Sequence, residues 1–114
     1  NVTLKCQLTS KYRELLKNVK KEKYALISEM MEKWFKHYEF NMPVMHDPLA
    51  IACLFDDFCN FEKAKIKVGL ENEKRAVTYF SDDGNDIYYA KEVDVEKFFD
   101  YFLKTIFEIK NIER

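Results

Sequence analysis

A chain of 114 residues with 47% hydrophobic and 16% aromatic side chains carries enough apolar surface for a core, which excludes intrinsic disorder and bounds it at one domain or part of one. Its 19 basic and 20 acidic residues leave a net charge of -1 and form no basic stripe, which excludes binding governed by nucleic-acid phosphates. No apolar run approaches the ~18 residues that span a bilayer, no secretory signal is present, and Cys6, Cys53 and Cys59 fit no metal spacing, so free thiols in a reducing cytoplasm are expected.

Residues 1–8 alternate Val2, Leu4, Cys6 and Leu8 on one face, the period of a short strand. Asn1-Val2-Thr3 matches a glycosylation sequon by chance and has no meaning without secretion. The absence of an initial methionine is a first indication that residues are missing upstream. Thr9 or Ser10 caps a helix to about Lys17. The lysine-rich stretch from Lys17 to Lys23 is a solvated helix junction. A second helix covers about residues 22–38, with Tyr24, Ile27, Met31, Trp34, Phe35 and Tyr38 on one face as a core stripe. A connector with Pro43 follows. Asp47 or Pro48 then starts a third helix holding Leu49, Ala50, Ala52, Cys53 and Leu54.

Two strands are expected at residues 64–70 and 76–80, joined through Glu71 to Lys74. Ser81 to Asp86 is a turn by composition, and a further strand runs through Ile87 to Ala90. Asp94 caps a last helix whose buried face is Phe98, Phe99, Phe102, Leu103, Ile106 and Phe107. The fold class is mixed α/β, helices plus a few short strands including a hairpin. One feature is awkward: the first strand is followed by about fifty residues without a second strand, yet a strand's backbone groups require partners. They must come from a later strand or from sequence beyond this one.

The segment from Met42 to Ala52 reads MPVMHDPLAIA, placing one of two histidines beside an aspartate and a proline at a helix start. This segment resembles a sugar-site motif of the nucleoside hydrolases, the inosine–uridine-preferring nucleosidases. The resemblance extends in order through Val2-Thr3 and Leu8-Thr9, the helix ending in Trp34-Phe35-Lys36-His37-Tyr38, and Glu92-Val93-Asp94-Val95 leading to Phe98. It includes a hairpin with Val68, Arg75 and Thr78, in which Ala76 stands where the family has glycine. The implied fold is the C-terminal portion of a nucleoside hydrolase, and residues 1–114 form a single or partial domain of it.

That resemblance implies a pocket with calcium at its base, ligated by Asp47, a catalytic His46 near the nucleobase, and Tyr38 as a substrate-loop aromatic. The activity implied is N-glycosidic hydrolysis of purine and pyrimidine nucleosides to base and ribose. The family's N-terminal aspartate-rich calcium motif does not occur in this sequence. Calcium, which takes six to eight oxygens, is therefore expected in the complete family site and not on this chain alone, which is expected to be inactive.

Plainer readings stand beside these. Asp47-Pro48 is also a helix cap followed by proline at the first helical position, and one carboxylate can cap and ligate together. His37 suits a surface or core position. Asp56-Asp57 cannot face one another on a helix and form its C-terminal turn. Asp82, Asp83 and Asp86 with Gly84 vaguely suggest a calcium loop, but the EF-hand's twelfth position is Val93, so a plain turn is expected. No GxGxxG, P-loop or GxSxG is present, and only two glycines exist to build one.

Three functional readings follow. The chain is part of a working hydrolase that pairs with a missing N-terminal segment; or it is a non-catalytic remnant that self-associates through a strand edge at residues 2–8; or it is an unrelated α/β binding module.

Overall fold

The computed structural model describes residues 1–19, 22–38 and 42–109, apart from the side chains of Lys23 and Tyr38. Residues 20 and 21 of the lysine-rich junction and 39–41 of the connector lie outside the described residues. The elements in order are α1 (Ser10–Lys17), α2 (Glu22–Tyr38), α3 (His46–Ala52), β1 (Cys59–Val68), β2 (Thr78–Phe80), β3 (Asn85–Val93) and α4 (Val95–Phe107). Helices thus combine with a three-stranded antiparallel sheet, a mixed α/β architecture. The chain divides into two compact units, Asn1–Phe58 with Val93–Arg114, and Cys59–Glu92.

The helical unit is built on α4. Asp94 caps it by accepting from the Lys97 N–H at 2.9 Å, and Phe98, Phe99, Leu103 and Phe107 are buried at three-to-four spacing. Of the expected face, Ile106 is exposed. Tyr12 from α1 stacks on Phe99 with ring centroids 4.1 Å apart, and Tyr24 from α2 meets Phe107 edge-on. Arg13 joins α1 to α2 by a two-pronged contact with Glu32, at 2.9 and 3.0 Å from one guanidinium nitrogen. Phe58 closes this core against Phe98 and Tyr101.

The opening segment is not a strand. Residues Val2–Lys5 form a 3-10 turn capped by the Asn1 side chain, and Leu4, which a strand would have buried, is 54% exposed. Period two holds only for Cys6 and Leu8, both fully buried. The backbone partners come from the connector. Leu8 N–H donates to the Pro43 carbonyl at 2.9 Å and Met45 N–H to the Cys6 carbonyl at 2.8 Å, around a single antiparallel bridge between Gln7 and Val44. The Cys6 carbonyl and the Leu8 N–H thereby find partners within this chain, and residues 2–8 form no strand.

The sheet unit has strand order β2-β1-β3. β1 begins at Cys59, five positions ahead of the expected start at Ala64; its mostly exposed first half shows no apolar alternation by which the sequence could reveal it. Ile66 pairs with Phe80, Lys67 with Tyr79 and Val68 with Thr78. The chain's two glycines both sit where backbones touch. A Cβ on Gly69 would fall 1.9 Å from the Lys74 carbonyl oxygen, and one on Gly84 would fall 2.7 Å from the Ile66 backbone. Ala76 has a left-handed backbone, φ 65°, the conformation that glycine adopts without a Cβ penalty.

Candidate functional site

Of the two residues expected to act at the sugar and the base, His46 meets a cavity in the helical unit. α3 begins one residue earlier than the sequence suggests: Met45 is the capping residue, without a side-chain cap bond, and His46, Asp47 and Pro48 occupy the first turn. Asp47 is thus not the helix cap. The early start is permitted because the first N–H groups of a helix have no intrahelical acceptor, so Pro48 forfeits nothing at the third position. The exposed Asp47 carboxylate lies at the positive end of the helix, where a negative charge is favoured.

His46 lines an apolar groove of about 850 Å³, floored by Ile27, Met31, Trp34 and Phe35 of α2 and walled by Pro43 and Leu4. The stripe expected to be core is therefore divided. Tyr24 and Phe35 are buried, while Ile27 and Trp34 are 40% and 44% exposed, because nothing in the described chain covers the groove side of α2. The His46 Nδ1 lies 2.5 Å from the Thr3 hydroxyl, and that hydroxyl lies 2.7 Å from the Asn1 Oδ1. Asn1 Oδ1 also accepts from the Thr3 N–H at 3.1 Å. The N-terminal turn thereby holds the imidazole at the groove's rim.

Thr3 and Asn1 are the site residues that sequence reasoning passes over. Their signal was present: an Asn two positions ahead of a Thr is a capping and turn signature, read above as a chance sequon. Tyr38 ends α2, and its side chain lies outside the described residues. His37 is exposed on the last turn of α2.

The other carboxylates are engaged elsewhere. Asp56 pairs with Lys97 at 3.0 Å, and that hydrogen bond holds its carboxyl below the usual aspartate range. Asp83 pairs with Lys67 and Asp86 with Lys63, while the Asp82 carbonyl accepts from Lys65. These lysine–aspartate pairs fasten the turn to β1, as a plain turn requires.

Among the described residues no group of three or more His, Cys, Asp or Glu side chains converges to hold a metal. Asp47 offers one carboxylate where calcium takes six to eight oxygens, so the described residues do not by themselves fit a calcium ion. Burial pushes the Cys6 thiol up to about 11, with Cys53 nearby adding to the shift, so Cys6 is an unreactive core thiol. What the arrangement can do chemically is narrow: one imidazole and one carboxylate, on the first turn of a helix, beside an apolar surface suited to a flat or aliphatic group. Among the described residues no helix is long and apolar enough to cross a membrane.

Comparison with known proteins finds no matching family model and no matching curated protein.

Proposed function

We propose that this chain is the C-terminal, base-facing portion of a nucleoside N-glycosidase whose remaining carboxylates come from other sequence. The observation that carries the reading is the adjacency of His46, which lines the Trp34 groove, and Asp47 on the first turn of α3, within a segment resembling the nucleoside-hydrolase motif. The groove, about 850 Å³ in volume, has room for a nucleobase, and Trp34 and Met31 offer it the flat, polarizable surface that such rings favour. Asp47 would contribute one of several oxygens beneath the sugar, its charge favouring a cationic transition state there. His46 would face the departing base. This chain's own residues bind and orient; they do not complete a metal site.

The test is a chimera in which this chain replaces the corresponding portion of a working nucleoside hydrolase, assayed by ribose release from inosine and uridine. Asp47→Ala is expected to lower kcat/KM about a hundredfold or more, and His46→Ala about tenfold to a hundredfold, the usual range for an electrostatic group and a general acid. An active chimera that tolerates both substitutions would sink the reading. An unrelated α/β binding module would then remain, using the same groove for an apolar ligand.

A further inference from the structure

We infer that Thr3 and Asn1 are positioning residues that hold His46, an exposed residue lining the groove, in its Nδ1–H tautomer, which leaves Nε2 of the neutral ring as a hydrogen-bond acceptor. The inference starts from one donor whose identity is not in question. The Thr3 backbone N–H points at the Asn1 side chain at 3.1 Å, so the amide atom facing it is the oxygen. The Thr3 hydroxyl lies 2.7 Å from that same oxygen. An amide oxygen only accepts, so the hydroxyl spends its single hydrogen there. Toward His46 it then has only lone pairs. Its contact with Nδ1, at 2.5 Å, therefore requires the hydrogen to sit on Nδ1.

A neutral imidazole carries one hydrogen, and with it on Nδ1 the opposite nitrogen, Nε2, is an acceptor. This is the reverse of the tautomer that free histidine favours. Thr3 does not line the groove, whereas Leu4 beside it and His46 do, so Thr3 acts on a ligand only through the ring it holds. While the ring is neutral the groove's polar handle is consequently an acceptor that selects a donor, an N–H or O–H on an otherwise apolar or flat molecule; only the protonated ring, with hydrogens on both nitrogens, is the general acid of the nucleosidase reading. A ligand offering only acceptors there would leave two lone pairs opposed.

The functional consequence rests on the nucleosidase reading, but the tautomer does not, and the experiment separates them. Nitrogen-15 spectra of the full chain, taken where the ring is neutral, distinguish a pyrrole-type nitrogen from a pyridine-type one, with His37 as the internal comparison. The expected spectrum has His46 Nδ1 pyrrole-type and Nε2 pyridine-type. Thr3→Ser should keep that pattern, because the hydroxyl remains. Thr3→Val should shift it toward the Nε2–H form, and so should Asn1→Ala, which frees the hydroxyl hydrogen without touching the ring. Nε2–H or an unbiased mixture in the wild-type chain overturns the inference, as does a pattern unmoved by both Thr3→Val and Asn1→Ala. A chimera that releases no ribose while the tautomer is as expected counts against the nucleosidase reading alone.

Discussion

Ala76 holds a left-handed backbone with a Cβ attached, a conformation that costs an L residue about 1–2 kcal/mol. Ala76→Gly relieves it, offset by the added freedom of the unfolded chain, and should raise stability by about 0.5–1 kcal/mol in denaturant titrations. Gly69→Ala should act in the opposite sense, costing about 2 kcal/mol or more, because the new Cβ would meet the Lys74 carbonyl oxygen at 1.9 Å and backbone cannot step aside cheaply. Cys6 sets a pH dependence. Its thiol, raised from 9.0 to about 11 by burial, holds its proton more tightly folded than unfolded. Its contribution is therefore fully present below pH 9 and is lost as the pH rises to about 11. The loss is on the order of 3 kcal/mol, and Cys6→Ala should flatten the decline. The Tyr12 hydroxyl, also raised chiefly by burial, adds a change of the same sign, and its burial part remains in the variant.

Helices were legible from the chain because their signals are local. The seventeen residues of α2 run Glu22–Tyr38 as the apolar spacing requires, and Asp94 caps α4 through its carboxylate. Asp94→Ala should cost about 1 kcal/mol in thermal denaturation, while Phe98→Ala should cost about 3–5 kcal/mol, since that ring is fully buried at the centre of the helical core. The opening segment was misread because Val2, Leu4, Cys6 and Leu8 alternate, yet a period says nothing about what a side chain meets. Asn1 turns the chain into a 3-10 loop, and only the connector at residues 43–45 decides that Cys6 and Leu8 go inward. The site was legible in the same uneven way. His46 and Asp47 were found by their adjacency in sequence. The contact that orients His46 spans 43 positions, and no local pattern reports it.

Each buried hydrophobic side chain among the described residues belongs to the helical unit. The sheet unit instead leaves Val68, Leu70, Phe80 and Tyr88 between 55% and 82% exposed, and ties its strands with Lys63–Asp86, Lys67–Asp83 and Lys91–Glu62 pairs that contribute little in water. Amide hydrogen exchange should therefore be slowest in α4 and markedly faster through β2 and β3; uniform protection would contradict this division. The groove on α2 is open among the described residues, and Ile51 of α3 and Leu54 and Phe55 beyond it are exposed; the proposal is that these surfaces belong to a larger nucleosidase site. The measurement that tests this most directly is ribose release from inosine and uridine, with calcium and with a chelator, by this chain alone and mixed with an aspartate-bearing nucleoside-hydrolase N-terminal segment. The account predicts no release by the chain alone and calcium-dependent release by the mixture, lost in Asp47→Ala. Release that ignores the chelator, or a mixture in which Asp47→Ala changes nothing, would contradict it.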